Sequence, residues 1–219
     1  MNWKILTLIT TLLSSFSLLI GLIKYKKIHN KHKPFILLLA LYAATEMSSL
    51  ILINLNLGFY LTFLMNIFVL FDFIFLFVIL STWTRSKIER TDFLIIFLFF
   101  LLWVWDNFFF SRLSVTNSIF RIGYSLMICI KSISLINKQL MRIDRNVIKN
   151  PFFIIGATLL LFFTYKSIYE TIYFIYLNLN KEISYWSFYV LVFVNILSYI
   201  LFIIAILCME KKTKLSSTY

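Results

Sequence analysis

The chain has 219 residues, 61% of them hydrophobic and 19% aromatic, with four glycines, two prolines and a mean hydropathy of +0.91. This composition excludes an ordinary soluble globular domain and indicates an integral membrane protein, all-α and forming a single domain over residues 1–219. In a soluble chain the formal charge of +12 would point to nucleic acid. Set between apolar spans it reports topology instead, and no nucleic-acid partner is expected.

Seven apolar stretches follow one another, at about residues 3–23, 34–54, 59–81, 92–110, 115–136, 151–176 and 185–208. At about 1.5 Å per residue they are long enough to cross a hydrocarbon core of ~30 Å, the fourth with least to spare, and they predict seven transmembrane helices. The first is too long for the core of a signal peptide and ends in Lys24-Tyr25-Lys26-Lys27 rather than at a small-residue cleavage site, so it reads as a helix.

The connections alternate in charge. Lys24, Lys26, Lys27, Lys31 and Lys33 follow the first span, and Arg85, Lys87 and Arg90 the third. Lys131, Lys138, Arg142, Arg145 and Lys149 follow the fifth, and the tail carries Lys211, Lys212 and Lys214. These sixteen of 21 cations face only Lys4, Arg112 and Lys181 on the other side, so the positive-inside rule puts the N-terminus outside and the C-terminus in the cytoplasm. The basic loops are expected to lie on anionic lipid headgroups and to meet a membrane or cytoplasmic protein partner. His29 and His32 belong to the first of them and read as residues of a solvated loop rather than metal ligands.

Within the spans, Tyr42, Thr45, Glu46 and Ser49 form a stripe on the second helix, and Asp72 sits near the middle of the third. Asp106 and Arg121 belong to the outer ends of the fourth and fifth. On the sixth, Lys166 and Glu170 are four residues apart, where opposite charges can meet, beside tyrosines 165, 169 and 173. Each buried charge costs about 2.5–3.5 kcal/mol at the bilayer centre, so Glu46, Asp72, Arg121, Lys166 and Glu170 are expected to face one another or a wet cavity. With Tyr169 and Asn195 they form the candidate ligand or ion pathway, open to the outside. The competing reading is a set of interhelical pairs that hold the bundle together.

Other features have plainer readings. Thr7, Thr10, Ser14, Ser17 and Gly21 make a small-residue stripe suited to close helix packing. Tyr60, Trp83, Trp103, Trp105 and Trp186 fit aromatic belts. Cys129 and Cys208 lie in apolar stretches and read as packed thiols. No G-x-S-x-G, H-E-x-x-H or Gly-rich phosphate loop occurs, so the expectation is a non-enzymatic protein without metal or cofactor.

A weak internal repeat is visible. Both prolines open helices, in KPFILLLA and NPFFIIGA; INLN (53–56) and LNLN (177–180) follow, and Asn66-Ile67 matches Asn195-Ile196. This is compatible with two parallel three-helix units joined by the fourth helix, a transporter design. Pro at a helix start and Asn at its end are equally generic choices.

The stretch NPFFIIGATLLLFFTYKS, taken with WSFYVLVFVNILSYILFIIAI, resembles a family of small seven-helix inner-membrane proteins from AT-rich bacteria. The arrangement is similar, more broadly, to the transporter, opsin and G-protein-coupled-receptor group. The resemblance implies the fold and a bacterial inner membrane, and brings no established activity. Trp103-Val-Trp105-Asp106 resembles a fragment of the tryptophan-rich motif of haem-handling proteins but lacks their outer histidines, and the last helix lacks the retinal lysine of microbial opsins. The leading expectation is a membrane sensor or signalling component, with a small transporter or channel, or a structural subunit of a larger complex, as alternatives.

Overall fold

The computed structural model of the protein describes residues 3–85, 87–110, 116–141, 147–176 and 181–209, with the backbone alone for 3–4, 176 and 181–185. Arg112, Arg142, Arg145, Lys211, Lys212, Lys214 and the 177–180 tetrad lie outside the described residues, as do the side chains of Lys4 and Lys181.

The chain folds as α1 (Trp3–Lys24), α2 (Lys33–Asn54), α3 (Gly58–Arg85), α4 (Arg90–Trp105), α5 (Ser118–Leu140), α6 (Pro151–Tyr176) and α7 (Lys181–Cys208), with a π-helical turn, Asp106–Phe110, prolonging α4. Seven helices are long and apolar enough to cross a membrane, and no strand occurs among the described residues. This is a multi-pass membrane architecture. Hydropathy marks the hydrocarbon-facing part of a helix, so the sequence-derived ends differ where polar residues continue the turn. Thus α3 runs on to Arg85, α5 occupies 118–140 rather than 115–136, and α7 begins at Lys181.

Local chemistry sets several ends. Pro151 is the first residue of α6 and Pro34 lies in the first turn of α2, where the missing amide hydrogen has no helical acceptor to lose. At the other end of α2, Asn56 takes a left-handed conformation (φ 56°). Leu57 N donates to Leu52 O and Asn56 N to Ile53 O, the paired bonds of a Schellman cap.

The helices pack in a closed ring: α1 on α2, α2 on α3, α3 on α5, α5 on α6, α6 on α7 and α7 back on α1. Helix α4 lies outside it, against α3 and α5. Lipid is as apolar as the outer side chains, so association depends on close packing and interhelical hydrogen bonds. On α1, Ser14 and Ser17 are fully buried while Leu8, Leu12, Phe16, Leu19 and Ile23 are exposed, a division that follows the helical period. A Cβ at Gly21 would stand 3.0 Å from Ile36 of α2, and one at Gly156 3.2 Å from Ile136 of α5, so both glycines mark close approaches.

One end of the ring carries the basic connections and is plugged. His32 stacks on Phe152 at 4.5 Å, Trp83 meets Phe152 edge-on at 4.9 Å, and Phe35 contacts both Trp83 and Phe202. Trp83 Nε1 donates to Lys31 O at 2.9 Å, Lys138 Nζ to Trp83 O and Thr84 O, and Lys24 Nζ to Leu207 O. These ammonium groups satisfy carbonyls at the C-terminal ends of α3 and α7, where the helix dipole favours a cation. Three expectations are corrected here. His32 is buried rather than in a solvated loop, Trp83 is buried rather than part of a belt, and Lys131 and Lys138 belong to α5 rather than to the loop after it.

Candidate functional site

The opposite half of the ring encloses a cavity of about 430 Å³. All six ring helices line it and α4 contributes nothing; Ile53, Leu61, Thr62 and Thr116 place it towards the α2–α3 and α4–α5 connections. Glu46, Asp72, Arg121, Lys166, Tyr169, Glu170 and Asn195 all line this one space. Sequence periodicity places each on a helix face, and the ring closes those faces around a common interior. Asp106 is the exception: it is fully buried at the end of α4, and its Oδ2 accepts from Phe120 N at 2.8 Å, holding the first turn of α5.

The expected Lys166–Glu170 pair is replaced by two separate assemblies. Arg121 Nη1 stands 3.3 Å from Glu170 Oε1, both side chains largely buried. The same guanidinium reaches Asn117 Oδ1 through Nε at 2.9 Å and Asn66 Oδ1 through Nη2 at 3.4 Å, and Ser118 Oγ donates to Glu170 Oε2 at 3.5 Å. A guanidinium presents a fan of donors that a lysine cannot, so Arg121 collects Glu170 together with the amides of α3 and α5. This explains why the four-residue neighbour loses the competition.

Lys166 turns instead into an aromatic enclosure. Its ammonium donates to the Tyr124 hydroxyl and lies 4.8, 5.6 and 5.3 Å from the ring centres of Tyr124, Phe162 and Phe163. Tyr124 in turn donates to Asp72 Oδ2 at 3.3 Å, and Tyr42 donates to Asp72 Oδ1 at 2.7 Å. A Lys166–Tyr124–Asp72–Tyr42 chain therefore links α6, α5, α3 and α2, with a tyrosine between the opposite charges. Such a relay satisfies the buried carboxylate without a direct ion pair.

Glu46 forms the third assembly. Thr10 Oγ1 donates to its Oε2 at 3.2 Å, and Asn195 and Tyr199 of α7 also face its carboxylate. Thr10 belongs to the small-residue stripe of α1, which thus packs at Ser14 and Ser17 and supplies a polar wall at Thr7 and Thr10.

Asn66, Asn117, Tyr124 and Tyr199 are members of the site that charge counting does not single out. An uncharged residue carries no signal of its partners, and of these four only Asn66 belongs to a sequence pattern, the internal repeat. Trp103, read as a belt residue, donates from Nε1 to Asn66 O at 2.8 Å and so anchors α4 beside the site. Among the described residues no group of three or more His, Cys, Asp or Glu could hold a metal ion. Comparison of the chain with models of protein families, with curated proteins and with solved structures finds no match.

Proposed function

We propose that the protein is a non-enzymatic sensor or signalling component of a bacterial inner membrane, with its N-terminus outside and its C-terminus in the cytoplasm. A small molecule enters the cavity from outside and shifts the pairing of the buried charges. The basic connections, seated on anionic headgroups, pass the change to a membrane or cytoplasmic protein partner.

The observation that carries this reading is a cavity set away from the aromatic plug at the basic end and lined together by Glu46, Asp72, Arg121, Lys166 and Glu170. Glu170 is held by Arg121 but lies one helical turn from Lys166, so a charged ligand in the cavity shifts which cation the carboxylate pairs with. Two pairings of the same charges select two helix packings, and a ligand preferring one shifts the balance. Native mass spectrometry after gentle extraction tests it. A small molecule retained by the wild type and lost when Ser49→Phe fills the cavity is the expected result. An empty wild-type chain held stably in a larger membrane assembly would replace sensing with a structural-subunit role.

A second reading, a small transporter, is favoured by the order of the ring. Contacts α1–α2, α2–α3 and α3–α5 map onto α5–α6, α6–α7 and α7–α1 under exchange of two three-helix units, with α4 as the linker. Saturable uptake of the retained molecule into proteoliposomes would move the assignment to transport.

A further inference from the structure

We propose that the cavity binds an organic cation, a small aromatic or aliphatic amine whose ammonium pairs with Glu46; the proposal rests on the ligand-binding reading above. Of the charged side chains among the described residues that line the cavity, Glu46, Asp72 and Glu170 are acids and Arg121 and Lys166 are bases, a formal excess of one carboxylate. The excess is localised. Arg121 is committed to Glu170, and Lys166 reaches Asp72 through Tyr124. Among the described residues the groups that meet Glu46 are neutral: the Thr10 hydroxyl together with Asn195 and Tyr199. A carboxylate in a space of low dielectric with neutral donors alone is incompletely compensated, and a cation of the ligand completes it.

The surrounding walls select the kind of cation. Phe68, Phe188, Tyr199 and Phe202 line the same space, and aromatic faces attract ammonium groups while accepting an apolar body. The protein already uses this device elsewhere on the cavity wall, where Lys166 lies among Tyr124, Phe162 and Phe163. Among the described residues no group of three or more His, Cys, Asp or Glu stands there to hold a metal ion instead. The volume of about 430 Å³ lies within the range of about 300–1,000 Å³ typical of small-molecule sites.

The test is equilibrium binding to the full chain in phosphatidylcholine nanodiscs, with empty nanodiscs as control, using three probes of one shape: tryptamine, 3-propylindole and indole-3-propionate. Saturable tryptamine binding, absent for the neutral and anionic analogues, is expected. Glu46→Gln keeps the size of the side chain and should weaken tryptamine binding about tenfold or more, while Glu46→Asp recovers part of it. The charge preference of the wild type stands independently of whether the variants fold. Equal binding of the three probes, preference for the carboxylate, or undiminished tryptamine binding by a folded Glu46→Gln variant would overturn the cation assignment and leave the cavity reading in place. Failure of tryptamine to bind up to millimolar concentration also overturns it; if native mass spectrometry then finds the wild-type cavity empty as well, the sensor reading falls with it.

Discussion

Lysine 131 illustrates how a single position is misread without its neighbours. In the sequence it is one of five cations trailing the fifth span. In the fold its Nζ lies 2.9 Å from Asp92 Oδ1, 2.8 Å from Ser81 Oγ and 4.3 Å from the centre of the Phe77 ring. Asp92 is itself 1% exposed, and its Oδ2 accepts from Glu89 N in a capping box at the start of α4. A buried pair is costly to break from one side because the remaining charge stays desolvated. Lys131→Met is therefore expected to destabilise the protein by about 3–5 kcal/mol, and the double change Lys131→Met/Asp92→Leu to restore most of that. Reversible unfolding of the reconstituted protein reads these values together with that of Asp92→Leu alone, and a double loss equal to the sum of the two single losses would show that the pair carries no coupling.

Helix α4 is the element with the least protein around it. Phe93, Leu94, Phe97, Leu98 and Leu101 are exposed, and polar contacts at three places hold the helix to the ring among the described residues: Asp92 to Lys131 and Ser81 at one end, Trp103 to Asn66 O beyond its middle, and Asp106 to Phe120 N at the other end. The π-helical turn that begins at Asp106 carries the chain towards α5 while its carboxylate serves an amide of the first turn of α5, where a negative charge is favourable. Because that acceptor comes from another helix, it acts as a cap that no local capping pattern reveals. Asp106→Ala should cost about 1–2 kcal/mol, by analogy with lost N-caps. It should also speed amide exchange over residues 118–122, whereas Asp106→Asn preserves most of the protection. Unchanged exchange in the alanine variant would refute the capping role.

Across the entire bundle, the ring divides into a plugged basic half and a hollow half. The orientation we propose for it rests on charge alone and has a direct check. In a background with Cys129→Ala and Cys208→Ala, a membrane-impermeant maleimide applied to intact cells should label Asn56→Cys, in the α2–α3 turn, and spare Lys27→Cys. The reverse pattern would invert the topology and place the mouth of the cavity on the cytoplasmic side.

Seven spans and the set of ionisable residues inside them were legible in the chain because both follow from one-dimensional rules: an apolar run of fixed length, and a charge whose burial needs compensation. The Schellman cap at Asn56 was half legible, as an asparagine at a helix end, because its bonds are local. Pairing was not legible. The nearest opposite charge to Glu170 along its helix is Lys166, yet packing of α5 against α6 presents Arg121 with the better donor geometry and turns Lys166 among aromatic rings. The burial of His32 and Trp83, the capping role of Asp106 and the displacement of α4 from the ring likewise depend on which helices become neighbours. Composition and period determine that a segment enters the membrane and which faces are polar; the closure of six helices into a ring determines which polar groups meet, because hydrogen bonds and ion pairs act over a few ångströms between residues far apart in sequence.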